Sequence, residues 1–197
     1  MKAILISIKP KYVTDILNGK KTLEIRKSIP KCDLPIDVYI YCTKGKGIEN
    51  FLCKVEHNFV DMTYKTISLN GKVVAKFTLN KIEQVWWIYE NTFCWEEDKV
   101  CITKTLRHKD FIKQCCLSQE GLNDYIGDGE SYAWHISNLE IFDKPKEISE
   151  FKAKGFERIK VMGSPYGDLD SVAYHYEKKP KLKSLTHAPQ SWCYIEV

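Results

Sequence analysis

Short stretches of strand-forming residues recur along the chain, and they restrict its fold more than any other feature. Residues 3–8, 21–27, 36–42, 72–79 (continuing through 82–88), 132–142 and 191–197 are rich in β-branched and aromatic side chains. Alternate residues of such a run point to opposite faces of a strand. Residues 51–60 read as one more. Strand 21–27 shows the alternation well: Leu23 and Ile25 face one way, Thr22, Glu24 and Arg26 the other.

Helical spacing is confined to short pieces between these strands. Pro10 suits a first helical turn, where its missing N–H costs nothing. Tyr12, Val13, Ile16 and Leu17 then recur at helical spacing, and Gly19 stands where a left-handed C-terminal cap belongs. Residues 104–125 turn helical: Phe111, Ile112 and Cys115 mark one helix, and Ser118 caps a second that ends before Gly127. Residues 147–151 make another short helix, and Asn70-Gly71 signals a hairpin turn. Trp86 and Trp87 are expected at a barrel end. Residues 155–190 carry turn signals and lysines without clean periodicity, so an irregular connection laid over the surface is expected there. Six or seven short strands with helices between them argue an α+β fold, a mixed β-barrel and not a parallel α/β sheet. The chain is thus expected to be one domain over residues 1–197, with a helical insertion at about 103–127.

Composition narrows the class of protein. At 197 residues and 44% hydrophobic, the chain has enough apolar material for one core without a metal or disulfide. No run approaches the roughly 18 apolar residues of a membrane span. The apolar N-terminus reads as a strand, not a signal peptide, so a cytoplasmic location and no membrane partner are expected. The eight cysteines include no Cys-x-x-Cys pair; they read as reduced thiols, with no metal and no cofactor expected. The net charge of +4 is unevenly placed: residues 1–31 carry +6, leaving −2 for the remainder. A basic surface on a near-neutral chain suits a phosphate-bearing partner, although a solvated lysine face has the same composition.

The segment Gly19-Lys20-Lys21-Thr22-Leu23-Glu24-Ile25-Arg26 fits Gly-x-Lys-x-x-Glu-x-Arg and resembles the signature of the ASCH domain. Residues 132–151 (YAWHISNLEIFDKPKEISEF), 188–196 (APQSWCYIE) and ISIKP near the start resemble further segments of bacterial and phage ASCH proteins. The resemblance implies a PUA-like barrel with a cleft lined by the motif residues, and RNA or a modified nucleotide as partner. One branch of the family is an amidohydrolase acting on acetylated cytidine, and a ribonuclease activity is described for another member.

Residue chemistry gives these positions definite roles. Glu24 can orient the Arg26 guanidinium, whose remaining donors then meet a phosphate or a base edge. Lys21, just after the Gly19 turn, can reach the same mouth, and Lys9 closes the first strand nearby. Trp134 offers a stacking platform, and His135 and Ser137 offer hydrogen bonds. Gln190 and Ser191 stand at the entry to the last strand, a common place for ligand contacts. Each group also has a plainer reading: a surface ion pair for Glu24 and Arg26, core for Trp134, a structural histidine for His135. A hydrolase would use Lys21 and Glu24 to activate water, yet the amidohydrolase branch carries threonine where this chain has Glu24. A metal nuclease would need converging carboxylates, for which Asp128 with Glu130, or Asp168 with Asp170, are candidates. A protein-interaction module would present its tryptophans to a partner.

Overall fold

The computed structural model describes residues 1–47, 50–58, 60, 62–89, 92–95, 106–127, 129–162 and 174–197. The chain begins with strand β1 (Lys2–Ile8), helix α1 (Pro10–Leu17) and strands β2 (Leu23–Arg26) and β3 (Ile36–Cys42). Strands β4 (Cys53–Asn58), β5 (Thr63–Ser68), β6 (Val73–Leu79), β7 (Ile82–Tyr89) and β8 (Thr92–Trp95) follow. Helices α2 (Leu106–Cys115) and α3 (Gln119–Ile126) lead to β9 (Ser131–His135) and β10 (Ser137–Lys146). A 3-10 turn (Ile148–Glu150), β11 (Lys152–Met162), β12 (Tyr174–Ser184) and β13 (Trp192–Glu196) complete the order.

The strands form three ladders. Seven pair in the order β10-β6-β3-β1-β13-β11-β12, four as β2-β9-β7-β8, and β4 pairs with β5 alone. The α+β class holds, with more strands than the sequence suggested, and among the described residues the ladders do not close into a barrel. Strand β1 explains why its sequence reads as a run and not an alternation. It lies between β3 and β13, and both its faces are covered. Ile4, Ile6 and Ile8 join Val38, Ile40, Phe77 and Trp134 in the main core. Ala3 and Leu5 join Tyr39, Val73, Phe151 and Ile195 on the other side. Each such fully buried aliphatic side chain contributes about 1.5–3 kcal/mol.

The apparent single strand at 132–142 is two. β9 pairs with β2 and β7, whereas β10 pairs with β6 in the larger sheet. The chain turns between the sheets at Ile136, whose N–H donates to Thr22 O at 2.9 Å. Asn138 absorbs the bend at φ +48, a conformation asparagine tolerates better than most residues. Asn70-Gly71 joins no hairpin, because β5 belongs with β4 and β6 with β3. The Asn70 side chain instead accepts from Leu52 N and donates to the carbonyls of Thr43 and Asn50. Trp86 and Trp87 lie on β7; the placement of their side chains falls outside the described residues.

The expectation of an irregular connection over 155–190 is corrected: Lys152 to Met162 pairs residue for residue with Ser184 to Tyr174 as a long antiparallel ribbon. Lysines stand on both faces of β12 and leave it exposed on each side. No apolar–polar contrast therefore marks its period.

Candidate functional site

Helix α1 ends where Gly19 takes φ +69, and the N–H groups of Lys20 and Lys21 both turn back to Asp15 O at 2.9 and 3.0 Å. A side chain at Gly19 would be strained by that φ. This reversal aims Lys21 inward, and Thr22 N then donates to Gln114 O at 3.0 Å, tying the start of β2 to the end of α2. Lys21 is 3% exposed and donates from Nζ to Cys115 O at 2.6 Å. The last carbonyls of a helix lack intrahelical partners and carry its negative pole. A buried ammonium therefore caps α2.

Strand β2 is buried along its whole length. Glu24 sits between two cations, with Oε1 2.9 Å from Arg26 Nη2 and Oε2 3.3 Å from Lys21 Nζ. Arg26 also donates from Nη2 to Ser7 O at 2.7 Å and from Nη1 to Ser191 Oγ at 3.2 Å. Two polar atoms of this cluster are left over. Glu24 Oε2 has its cation nearby but no hydrogen bond, and Arg26 Nε has no acceptor. Buried polar atoms are rarely left so.

These side chains line a cleft of about 350 Å³. Tyr12 of α1 and Tyr125, Gly121 and Leu117 from the α2–α3 region form part of its wall. Ser7, Ile8, Lys9, Ile25, Thr43 and Gln190 complete it. Burial, then the Glu24 and Asp15 carboxylates, push the Tyr12 phenol up from its usual value. Burial also raises Tyr125, with Arg26 opposing and Glu24 assisting. Both hydroxyls thus stay protonated donors. Burial pushes the adjacent Cys115 thiol up to about 12, so it supplies no thiolate.

Of the residues singled out from sequence, Lys9, Lys21, Glu24, Arg26 and Gln190 line this cleft, and Ser191 touches it through Arg26. Trp134, His135 and Ser137 do not. Trp134 is 0% exposed in the main core, its ring 5.7 Å from that of Trp192, so it cannot stack a ligand. His135 holds the buried Glu83 through Nε2 at 2.6 Å, and Ser137 donates to Asn80 Oδ1 at 3.2 Å. Strand order explains this: Trp134 shares a face with its partner Glu24, but β2 is the edge strand and β9 lies inside it, where the main core covers Trp134. Tyr12 was missed because at helical spacing it reads as a packing residue, and Tyr125 because nothing in its local sequence marks it. Of the acidic pairs, Asp128, Asp168 and Asp170 lie outside the described residues, and Glu130 accepts from Tyr132 OH at 2.9 Å. Among the described residues no group of three or more His, Cys, Asp or Glu is placed to hold a metal. Nor is any described helix long and apolar enough to cross a membrane.

No family model and no curated protein matches the sequence. Among solved structures the chain is similar to ASCH from Zymomonas mobilis, at 18% identity and TM-score 0.46, over 74% of this chain and 73% of that one. Two point mutants of that protein are similar at 20% identity and TM-score 0.45, over 75% and 74% of this chain and 77% and 73% of theirs.

Proposed function

We propose that the cleft holds RNA or a nucleotide-like ligand. One observation carries this reading: Glu24 Oε2 and Arg26 Nε are buried, lack hydrogen-bond partners, and belong to side chains that line a cleft. An acceptor and a donor without hydrogen bonds, on two side chains of the cleft wall, match a ligand edge that offers both, as a nucleobase does. Lys9, Lys21 and Arg26 against Glu24 give the cleft a net positive charge, suited to a phosphate. Tyr12 and Tyr125 add aromatic surface, and the volume lies within the range of small-ligand sites. The ASCH-like motif in the sequence supports the same reading.

The hydrolytic alternative, with Lys21 and Glu24 activating water, has less support. Lys21 Nζ is held between Cys115 O and Glu24, where it ties the end of α2 to β2. Fluorescence anisotropy with a short mixed-sequence RNA and with nucleoside monophosphates, at low and moderate salt, tests the proposal. Lys9→Glu and Tyr125→Ala are suitable variants, since neither residue anchors the fold as Lys21 and Arg26 do. Binding that weakens with salt and falls about tenfold in each variant is the expected result. No binding of either probe at tens of micromolar protein overturns the reading.

A further inference from the structure

The β11–β12 ribbon leaves the body of the sheet almost at once. Lys152 opposite Glu196 is its one register pair with β13, and beyond it the two strands pair only with each other among the described residues. Over residues 152–160 and 176–184 the two faces differ in character. One face presents Lys152, Lys154, Arg158, Lys160 and Lys178 and no carboxylate. The opposite face carries Glu157 and Glu177 among its lysines, with Glu157 bridged to Lys181 at 2.9 Å.

Two features of the basic face are costly in the isolated protein. Arg158 lies directly across from Lys178, and like charges opposite one another destabilise a strand pair. Lys154 meets Glu196 at 3.6 Å, but among the described residues no ion pair reaches Arg158 or Lys178. Flanking this rung on the same face, Phe156 is 63% exposed and Tyr176 66%. Large aromatic rings in water beside these two cations satisfy no requirement of the fold.

We propose that this face of the ribbon is a docking surface for single-stranded nucleic acid. Phosphates lie against the cations and relieve the Arg158–Lys178 repulsion, while bases stack on Phe156 and Tyr176. A positive track with interleaved aromatics suits single strands, whose unstacked bases present their ring faces. A paired duplex keeps its bases stacked on one another and gives the two rings no partner. Lys152 to Lys160 spans about 27 Å, enough for several nucleotides. The ribbon alone forms this surface, whether or not the cleft is occupied.

The test measures anisotropy of an oligouridine of about twenty nucleotides over a salt series, for wild type, Arg158→Glu/Lys178→Glu and Phe156→Ala/Tyr176→Ala. All four side chains are exposed, and circular dichroism checks that each variant folds. The charge variant is expected to bind at least tenfold more weakly, with a salt slope shallower by about 1.4, at about 0.7 for each phosphate no longer neutralised. The aromatic variant is expected to lose about tenfold with its slope unchanged. Lys9→Glu separates this surface from the cleft: mononucleotide binding falls in that variant and is unaffected in the ribbon variants. Equal oligouridine binding by all proteins overturns the proposal. So does duplex binding as tight as that of oligouridine, with no dependence on Phe156 and Tyr176, and so does binding to anionic vesicles without binding to oligouridine.

Discussion

Lys21 Nζ lies 2.6 Å from the carbonyl oxygen of Cys115, although the two residues are far apart in sequence. The ammonium serves both the end of α2 and the Glu24 carboxylate. Truncation leaves a buried carbonyl unpaired and Glu24 with a single cation. Removing one partner of a buried pair costs about 3–5 kcal/mol. Lys21→Ala is therefore expected to lower unfolding free energy by about that amount in urea denaturation. A loss below about 1 kcal/mol would show that Lys21 is a surface group.

Trp134 tests the distinction between core and platform. Its complete burial predicts that Trp134→Ala destabilises the fold by about 3–5 kcal/mol. Trp134→Phe is expected to be milder, because it also removes the buried Nε1–H that has no acceptor. Ligand affinity, measured by titration under conditions where the Phe variant is folded, is expected to equal that of wild type.

Glu83 gives the fold an acid limb. The hydrogen bond from His135, ahead of that from Lys81, holds its carboxyl below the ordinary value of 4.5, with burial opposing. A carboxyl lowered by folding contributes stability above its unfolded value and loses that contribution as pH falls through the folded one. Thermal stability of the wild type is therefore expected to fall below about pH 4.5. His135→Ala removes the leading cause and is expected to flatten that limb. An identical pH profile in the variant would contradict this role.

Burial pushes the thiols of both Cys42 and Cys115 up to about 12. Alkylation by iodoacetamide at mildly alkaline pH, followed by mass spectrometry, is expected to leave these two unmodified in the folded protein. Both should label once urea unfolds it. Fast labelling of Cys115 in the native state would mean that the contact between α2 and β2 opens readily.

Much of the site was legible because its main elements are local. The Gly19 turn, the pleat of β2 and the polar entry to β13 are each written within ten residues of sequence, and together they place Lys21, Glu24, Arg26 and Gln190. What could not be read depends on which sheet a strand joins. Trp134 and Glu24 share a face in register, but only the order of the strands, with β2 at the edge and β9 inside it, makes Trp134 core. Tyr125 reaches the cleft because α3 is folded against β2, a contact between distant segments that leaves no local periodicity. The ribbon stayed invisible for the opposite reason: both of its faces are polar, so burial never imprinted a period on it.

Arg26 binds Ser7 O on one side and Ser191 Oγ on the other, so its seat is assembled from segments far apart in sequence. During synthesis an emerging polypeptide holds the motif long before it holds Ser191. Until the segment carrying Ser191 threads in beside β1, the guanidinium has an incomplete socket and the pocket has an open flank. Assembly of the cleft is thus coupled to the pairing of β13 with β1, and a nascent chain is expected to acquire its ligand only after Ser191 has emerged from the ribosome.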